Sequence, residues 1–115
     1  MDVRATLQNI HMGPRKGRQV ADLVRSKSCA QAIDILQGCP RGAARPIAKL
    51  IRSALANAQE HNARHQAGLD LDNLYIKTIT IDEGPRVWRM RARAMGRGAW
   101  IKKATSHVTV ILAER

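Results

Sequence analysis

Aromatic residues are scarce in this chain of 115 residues: phenylalanine is absent and there is one tyrosine, Tyr75. A hydrophobic core must therefore be built from isoleucine, leucine, valine and alanine. A chain of this length buries enough surface to fold alone, but it supports only one hydrophobic centre. We predict one domain over residues 1–115 with a single aliphatic core.

Cysteine is nearly absent as well, since Cys29 and Cys39 are the only two. Two thiols ten positions apart do not form a disulfide framework, and this favours a reducing compartment. We interpret both as small buried or half-buried side chains. A redox or metal-binding role is the alternative.

Long apolar runs and an N-terminal signal segment are also missing. No stretch reaches the length that a membrane-spanning helix needs, and no charged n-region precedes an apolar h-region. The sequence therefore predicts a soluble protein that is not secreted and has no membrane partner.

Acidic residues are few: 9 aspartates and glutamates stand against 20 lysines and arginines, which gives a formal charge of +11. Such an excess of one sign repels itself in a folded chain, and a polyanionic partner relieves that repulsion. Nucleic acid is the leading candidate for this partner. An anionic membrane surface is the weaker alternative.

Residues 82–103 hold the densest group of cations and have no acid after Glu83. Arg89, Arg91 and Arg93 recur at period two, so an extended chain places them on one face. Arginine binds phosphate oxygens with two donors at once, and its plane stacks on bases. We predict a long basic β-hairpin over 82–103 that binds RNA. A disordered basic loop is the alternative.

The only two tryptophans, Trp88 and Trp100, lie on either side of Gly96 and Gly98. They allow two interpretations. The favoured one is a cross-strand aromatic pair that stiffens the hairpin. The alternative is a pair of stacking platforms for unpaired bases.

The remaining segments predict a small α+β fold. Apolar residues alternate with polar ones over 3–8, as in a half-buried strand, and we expect this strand to end near Met12. Runs rich in β-branched residues from Leu74 and over 105–112 predict two more strands. We expect a three-stranded antiparallel sheet, with the hairpin inserted between its last two strands.

Three helices are expected to cover this sheet. The first begins at Pro14, whose missing N–H suits a first turn, and ends near Ser26. The second is predicted over 28–38, because it opens with a capping-box pattern and closes with glycine. The third and longest has apolar residues at helical spacing over 46–58. Residues 62–73 lose this periodicity and predict a loop.

The first turn of the first helix carries Arg15, Lys16 and Arg18. Cations at a helix N-terminus oppose the helix dipole, so their position indicates an external anion that offsets this cost. A solvated basic turn without a partner is the alternative.

The histidines offer two further hypotheses. His61 and His65 would lie one turn apart on a helix, but no cysteine or carboxylate pattern completes a metal site around them. A small nuclease would need a histidine and a carboxylate in one pocket. The candidates for it are His11, His61, His65, His107, Asp82 and Glu83. The sequence shows no such constellation, so we predict no enzyme, no catalytic residue, no metal and no cofactor.

Several segments, in their order and spacing, resemble the large ribosomal subunit protein 22 family, of the bacterial and organellar type. The matching segments are Gly-Pro-Arg-Lys-Gly-Arg at 13–18, Val-Ala-Asp-Leu-Val-Arg at 20–25, Ala-Asn-Ala at 56–58, Glu-His-Asn at 60–62, Asp-Glu-Gly-Pro at 82–85, Arg-Ala-Met-Gly-Arg at 93–97 and Thr-Ser-His-Val-Thr-Val at 105–110. The resemblance covers nearly the whole chain. A free-standing RNA- or DNA-binding protein is the rival hypothesis.

The resemblance implies three helices packed on a small antiparallel sheet, with a long hairpin that runs inward through ribosomal RNA. It implies partners as well: several domains of large-subunit rRNA, neighbouring large-subunit proteins and the nascent chain, with no homo-oligomer. The expected location is the ribosome of the cytoplasm, or else that of an organelle. An assembly role is also implied.

The resemblance and the charge pattern together give two groups of candidate residues. The expected rRNA-binding residues are Arg15, Lys16, Arg18, Arg86, Arg89, Arg91, Arg93, Arg97, Lys102, Lys103 and His107. The hairpin tip expected to line the polypeptide exit tunnel consists of Arg91, Arg93, Met95 and Arg97.

Four positions depart from the pattern of the family. Ala92 stands where proline is usual, so the hairpin is expected to bend differently there. Met95 stands where a polar or basic residue is usual. Gly13 and Ser26 replace a usual serine and glycine at the two ends of the first helix.

Overall fold

The computed structural model of the chain describes residues 2–65, 68 and 70–114. Its elements in chain order are strand β1 (Asp2–Ile10), helices α1 (Pro14–Val24), α2 (Cys29–Gln37) and α3 (Ala44–His65), and strands β2 (Leu74–Glu83), β3 (Val87–Ala92), β4 (Gly98–Lys103) and β5 (Ser106–Glu114). Short 3-10 turns cover Leu71–Asn73 and Ala94–Gly96. The α+β fold with three helices and a hairpin is confirmed.

Strand β5 is the centre of a three-stranded antiparallel sheet with the order β1-β5-β2. Val110 of β5, for example, lies between Ala5 of β1 and Ile79 of β2. Alternate residues of β5 are fully buried, including Val108 and Leu112. The predicted three-stranded antiparallel sheet of the N-terminal strand and the two β-branched runs is therefore confirmed, with the N-terminal strand paired to β5.

The core between this sheet and the helices is aliphatic, as predicted. All buried hydrophobic residues of the described chain are isoleucine, leucine, valine or alanine, apart from Cys29. Burial raises the pKa of the Cys29 thiol to about 11, so this side chain stays protonated and inert. Cys39 is half-buried, and both thiols are free, which agrees with their interpretation as ordinary packed side chains.

Helix α1 begins at Pro14 as predicted and ends at Val24, just before the expected boundary. Ser26 then adopts a positive φ of 66°, the left-handed conformation that glycine adopts more readily. Ser28 is the N-cap of α2, and its Oγ accepts a hydrogen bond from the backbone N–H of Gln31 at 3.3 Å. The predicted cap is thus present.

The expectation that residues 62–73 form only a loop is wrong. Helix α3 continues to His65, and Leu71–Asn73 form a 3-10 turn. Arg64 pairs with Glu60 one turn earlier at 2.7 Å, and a cation in the last turn complements the helix dipole. These polar contacts extend the helix beyond its apolar stripe, while residues 66, 67 and 69 lie outside the described part of the chain.

Helix α1 covers the free edge of β2. The guanidinium of Arg18 donates from Nε and Nη2 to the carbonyl oxygen of Ile81, at 3.1 and 2.9 Å. Arg25 donates from Nη2 to the carbonyl oxygen of Ile79 at 3.0 Å. Because an uncovered edge strand leaves its backbone groups open to other chains, these arginines both fix α1 and protect the sheet.

None of the helices in the described residues is long and apolar enough to cross a membrane.

We expect Ile51→Ala to lower the free energy of unfolding by about 2 to 5 kcal/mol, because it leaves a cavity in the core. Ile51 is fully buried on α3. Leu23→Ala is the matched control, since Leu23 is 46% exposed and its change should cost less than about 0.5 kcal/mol. Urea unfolding followed by circular dichroism measures both, and equal losses would contradict the described core.

We also expect Arg18→Ala to destabilise the fold by about 1 kcal/mol, because the carbonyl of Ile81 loses two donors. Arg15→Ala removes the same charge from an exposed side chain one turn earlier and serves as the control. The same urea experiment applies. If the two variants unfold at the same midpoint, the contact with Ile81 does not contribute to stability.

Candidate nucleic-acid interface

The predicted hairpin consists of β3 and β4, which pair from Val87 opposite Lys103 to Ala92 opposite Gly98. Arg89 lies opposite Ile101, and Arg91 lies opposite Ala99. Since alternate residues of a strand share a face, Arg89 and Arg91 lie on one side of the ribbon, and both are exposed. The two-faced ribbon expected from period two is present for Arg89 and Arg91, whereas Arg93 follows the end of β3 and belongs to the tip.

The opposite face of the ribbon carries its large apolar side chains. Trp88 lies opposite Lys102, and Met90 lies opposite Trp100. The expectation that the two tryptophans form a direct cross-strand pair is therefore wrong. The turn at the tip sets a register in which they are diagonal neighbours, two residues out of step.

The tip reverses the chain through two residues in left-handed conformation. Met95 has φ 61° and Gly96 has φ 71°. The backbone N–H of Arg93 donates to the carbonyl oxygen of Arg97 at 2.6 Å and closes this turn. Met95 is 97% exposed, so its side chain contacts almost nothing in the protein. Ala92 ends the ladder opposite Gly98.

The base of the hairpin is tied to the sheet by hydrogen bonds. The N–H of Gly84 donates to the carbonyl oxygen of Thr105 at 2.9 Å, and Oγ1 of Thr105 donates to the carbonyl oxygen of Pro85 at 2.6 Å. A Cβ on Gly84 would lie 2.6 Å from that Oγ1, so only glycine allows this approach. Arg86 forms an ion pair with Glu83 at the same place. Ribbon and sheet are therefore joined at a defined point.

A cleft of about 1600 Å³ lies beside this base, between the start of α1 and the end of β4. Its cationic lining residues are Arg15, Lys16, Arg18, Arg41, Lys102 and Lys103, and its acidic ones are Asp82 and Glu83. The predicted cations at the start of α1 and those at the end of β4 thus line one cleft, although they are about 85 positions apart in the chain. Glu83 is paired with Arg86, which leaves the cleft with an excess of positive charge.

The start of α1 adds a second electrostatic feature to the cleft. Gly13 precedes the helix without a side-chain cap, and the first turn contains no acid. The unpaired N–H groups and the dipole of a helix N-terminus favour an anion. Arg15 and Lys16 are exposed there. Arg18 differs from them, since its guanidinium is bound to Ile81 as described above.

Arg41 is the cleft residue that sequence reasoning missed. It stands between Pro40 and Gly42, a segment interpreted only as the stop of a helix. Its Nη1 donates to Oε1 of Gln19 on α1 at 2.7 Å, and this contact holds the loop against α1. A lone cation between proline and glycine was the only available signal.

His107 lies outside the residues that line the cleft, and its ring has a structural contact. Its Nδ1 accepts a hydrogen bond from the backbone N–H of Asn9 at 3.1 Å. Asn9 has φ 60° at the point where the register of β1 with β5 shifts. Nδ1 of His107 therefore stabilises the irregular backbone at the end of β1.

The other histidines do not build a catalytic group. The ring centroids of His61 and His65 lie 4.6 Å apart on α3, and Nε2 of His61 is buried without a hydrogen-bond partner. His11 lines the cleft instead. Within residues 2–65, 68 and 70–114, no three histidine, cysteine or acidic side chains are arranged to hold a metal ion.

Comparison with known proteins gives a consistent result. The family model for ribosomal protein L22p/L17e matches residues 5–113. The chain is 46% identical over 114 residues to the large ribosomal subunit protein uL22 of Myxococcus xanthus, covering 99% of this chain and 97% of that one. It is 44% identical over 115 residues to the uL22 protein of Geobacter sulfurreducens, covering 100% and 99%. For one uL22 protein of Desulfitobacterium hafniense, the identity is 44% over 112 residues, or 97% and 94%.

Proposed function

This chain belongs to the ribosomal protein L22p/L17e family, and from that premise we propose that it is held in the large ribosomal subunit by rRNA bound along the hairpin and in the cleft. As a ribosomal protein it is a structural constituent associated with the ribosome, and it is not an enzyme. The observation that supports the rRNA contact best is the run from Gly84 to Ala113, which contains no carboxylate at all.

The hairpin is the proposed main contact with the phosphate backbone. Arg89 and Arg91 share an exposed face, and Arg93 and Arg97 close the tip beyond them. Guanidinium groups bind phosphate oxygens with two hydrogen bonds, so a line of them can follow an RNA strand. Arg86 would join them through the part of its side chain that Glu83 leaves open.

The cleft is the proposed second contact. Lys102 and Lys103 at the base of the hairpin face Arg15 and Lys16 at the start of α1 across an open space. An RNA backbone in this cleft would neutralise both groups and meet the uncapped helix N-terminus. Arg18 and His107 would contribute mainly by holding α1 and β1 in place, since their side chains contact the protein backbone.

We also propose that residues 1–115 act as one domain, in one copy, from which the hairpin 82–103 projects. The ribbon of β3 and β4 pairs with no other described strand, and the molecule measures 66 by 27 by 16 Å. This elongated form supports a role in assembly, in which the hairpin reaches several rRNA domains and neighbouring proteins contact the globular part.

The most detailed part of the proposal concerns the tip of the hairpin. Arg91, Arg93, Met95 and Arg97 would line the polypeptide exit tunnel and contact the nascent chain. The exposed position of Met95 at the end of the ribbon supports this. The proposed location is the ribosome of the cytoplasm, with an organellar ribosome as the alternative.

Sedimentation distinguishes this proposal from a free-standing nucleic-acid-binding protein. The tagged protein should move with the large subunit, with no stable pool among the light fractions. A lasting pool that is free of ribosomal particles would favour the rival function.

Replacing Arg89, Arg91 and Arg93 by alanine should weaken rRNA binding and lower the salt dependence of the affinity. Each lost phosphate contact reduces the log–log slope by about 0.7 to 0.9, so the triple variant should lose about 2 to 3 units. The globular part should remain folded, because these side chains are exposed. Filter binding to an rRNA fragment at several salt concentrations measures the slope.

The matched control removes the same charge elsewhere. Arg45, Lys49 and Arg52 lie at helical spacing on the exposed side of α3, and none of them lines the cleft. Their triple alanine variant should change the slope by less than one unit. Equal losses in the two variants would mean that net charge, and not the ribbon, determines binding.

A further inference from the structure

We propose that Trp88 and Trp100 form a stacking site for unpaired RNA bases on the face of the ribbon opposite Arg89 and Arg91. This inference rests on the proposed RNA contact, and it specifies that the ribbon binds single-stranded RNA. The register that separates the two tryptophans is its structural basis.

Neither indole is buried within the described protein. Trp88 is 56% exposed and Trp100 is 65% exposed, whereas tryptophan is usually largely buried. The ribbon has two strands and no second layer, so it has no core in which to bury them. The two rings are not in contact with each other either, since the one ring contact among the described residues joins His61 and His65. A stiffening role for the tryptophans is therefore unsupported.

The spacing of the two side chains suits one flat ring. Diagonal neighbours in an antiparallel pair lie about 7 to 8 Å apart, and side chains stand roughly perpendicular to the sheet. Carbon atoms in contact are separated by about 3.5 to 4.0 Å. One base between the two indoles would thus be in contact on both of its faces. Met90 lies beside them, and a Cβ on Gly98 would come within 2.7 Å of its sulfur, so the glycine leaves room for this side chain.

Charge identifies the occupant as RNA rather than an apolar polypeptide. Lys102 stands directly opposite Trp88 on the same face, and Arg89 and Arg91 are on the other. An apolar partner on the tryptophan face would cover Lys102 without supplying an anion, whereas a nucleic acid supplies both phosphates and ring faces. Bases in a duplex are already stacked, so only unpaired bases can enter. Stacking on indole tolerates any base, which predicts little sequence preference.

Tryptophan fluorescence of the full-length protein tests the site directly. Trp88→Phe leaves Trp100 as the only indole, and Trp100→Phe leaves Trp88. Each variant is titrated with a single-stranded RNA oligonucleotide of mixed sequence, with an abasic oligonucleotide of the same length, and with a duplex. We expect both indoles to be quenched by the single strand and neither by the abasic strand, which keeps the phosphates but has no bases.

Affinity supplies the second measurement. The double variant Trp88→Ala, Trp100→Ala should bind the single strand at least about tenfold more weakly, with an unchanged salt slope and unchanged affinity for the abasic strand. The phenylalanine variants should retain most of the affinity, because phenylalanine also stacks. Leu23→Ala, which alters an exposed apolar residue on α1, should have no effect. Circular dichroism confirms that each variant is folded.

The outcomes separate this proposal from the proposed function. If the double alanine variant binds the single strand as tightly as the unchanged protein, the stacking site is wrong while RNA binding stands. Quenching by the abasic strand, or by an apolar peptide in place of RNA, would also overturn it. If the unchanged protein binds none of the RNAs, the proposed function itself fails.

Discussion

The antiparallel pairing of β2 with β5 determines where the hairpin, with its cations, leaves the sheet. Asp82 is paired with His107 and Glu83 with Ser106, so the chain leaves the sheet and returns to it at adjacent points. The ribbon of β3 and β4 begins there, after a join in which the N–H of Gly84 donates to the carbonyl oxygen of Thr105 and the Thr105 hydroxyl donates to that of Pro85. A Cβ at position 84 would lie too close to this hydroxyl. A largely aliphatic core thereby holds in place a highly charged element that has no core of its own.

Arginine has two separate uses in this arrangement. Arg18 and Arg25 donate to carbonyl groups at the edge of β2, and these contacts hold α1 against that strand. Arg18 also lines the cleft between the start of α1 and Lys103. Within the described part of the chain, Arg89 and Arg91 have no such partner on their exposed face. The same side chain type therefore builds the surface at one place and remains available to a ligand at another.

Local patterns predicted the elements, but they could not predict contacts between them. Period two identified the faces of the ribbon, and the capping pattern at Ser28 placed α2, because both depend only on neighbouring residues. The pairing of Trp88 with Lys102 depends on how many residues the tip uses, and no periodicity reveals that number. Arg41 could not be assigned to the cleft either, since its place depends on the packing of α1 against the loop.

Because the ribbon is highly charged, it cannot be the part of the molecule that stabilises the fold. Alternate residues of a strand lie about 6.7 Å apart, and two like charges at that distance repel by roughly 0.6 kcal/mol in water. Each neighbouring pair of arginines along the face adds a penalty of this kind, while the exposed side chains of the ribbon return little by burial. The aliphatic core around Ile47 and Ile51 must carry the folding free energy. Phosphates along the ribbon would remove the repulsion between its arginines. The core holds the ribbon in position, and a polyanionic partner would lower the electrostatic free energy of the ribbon itself.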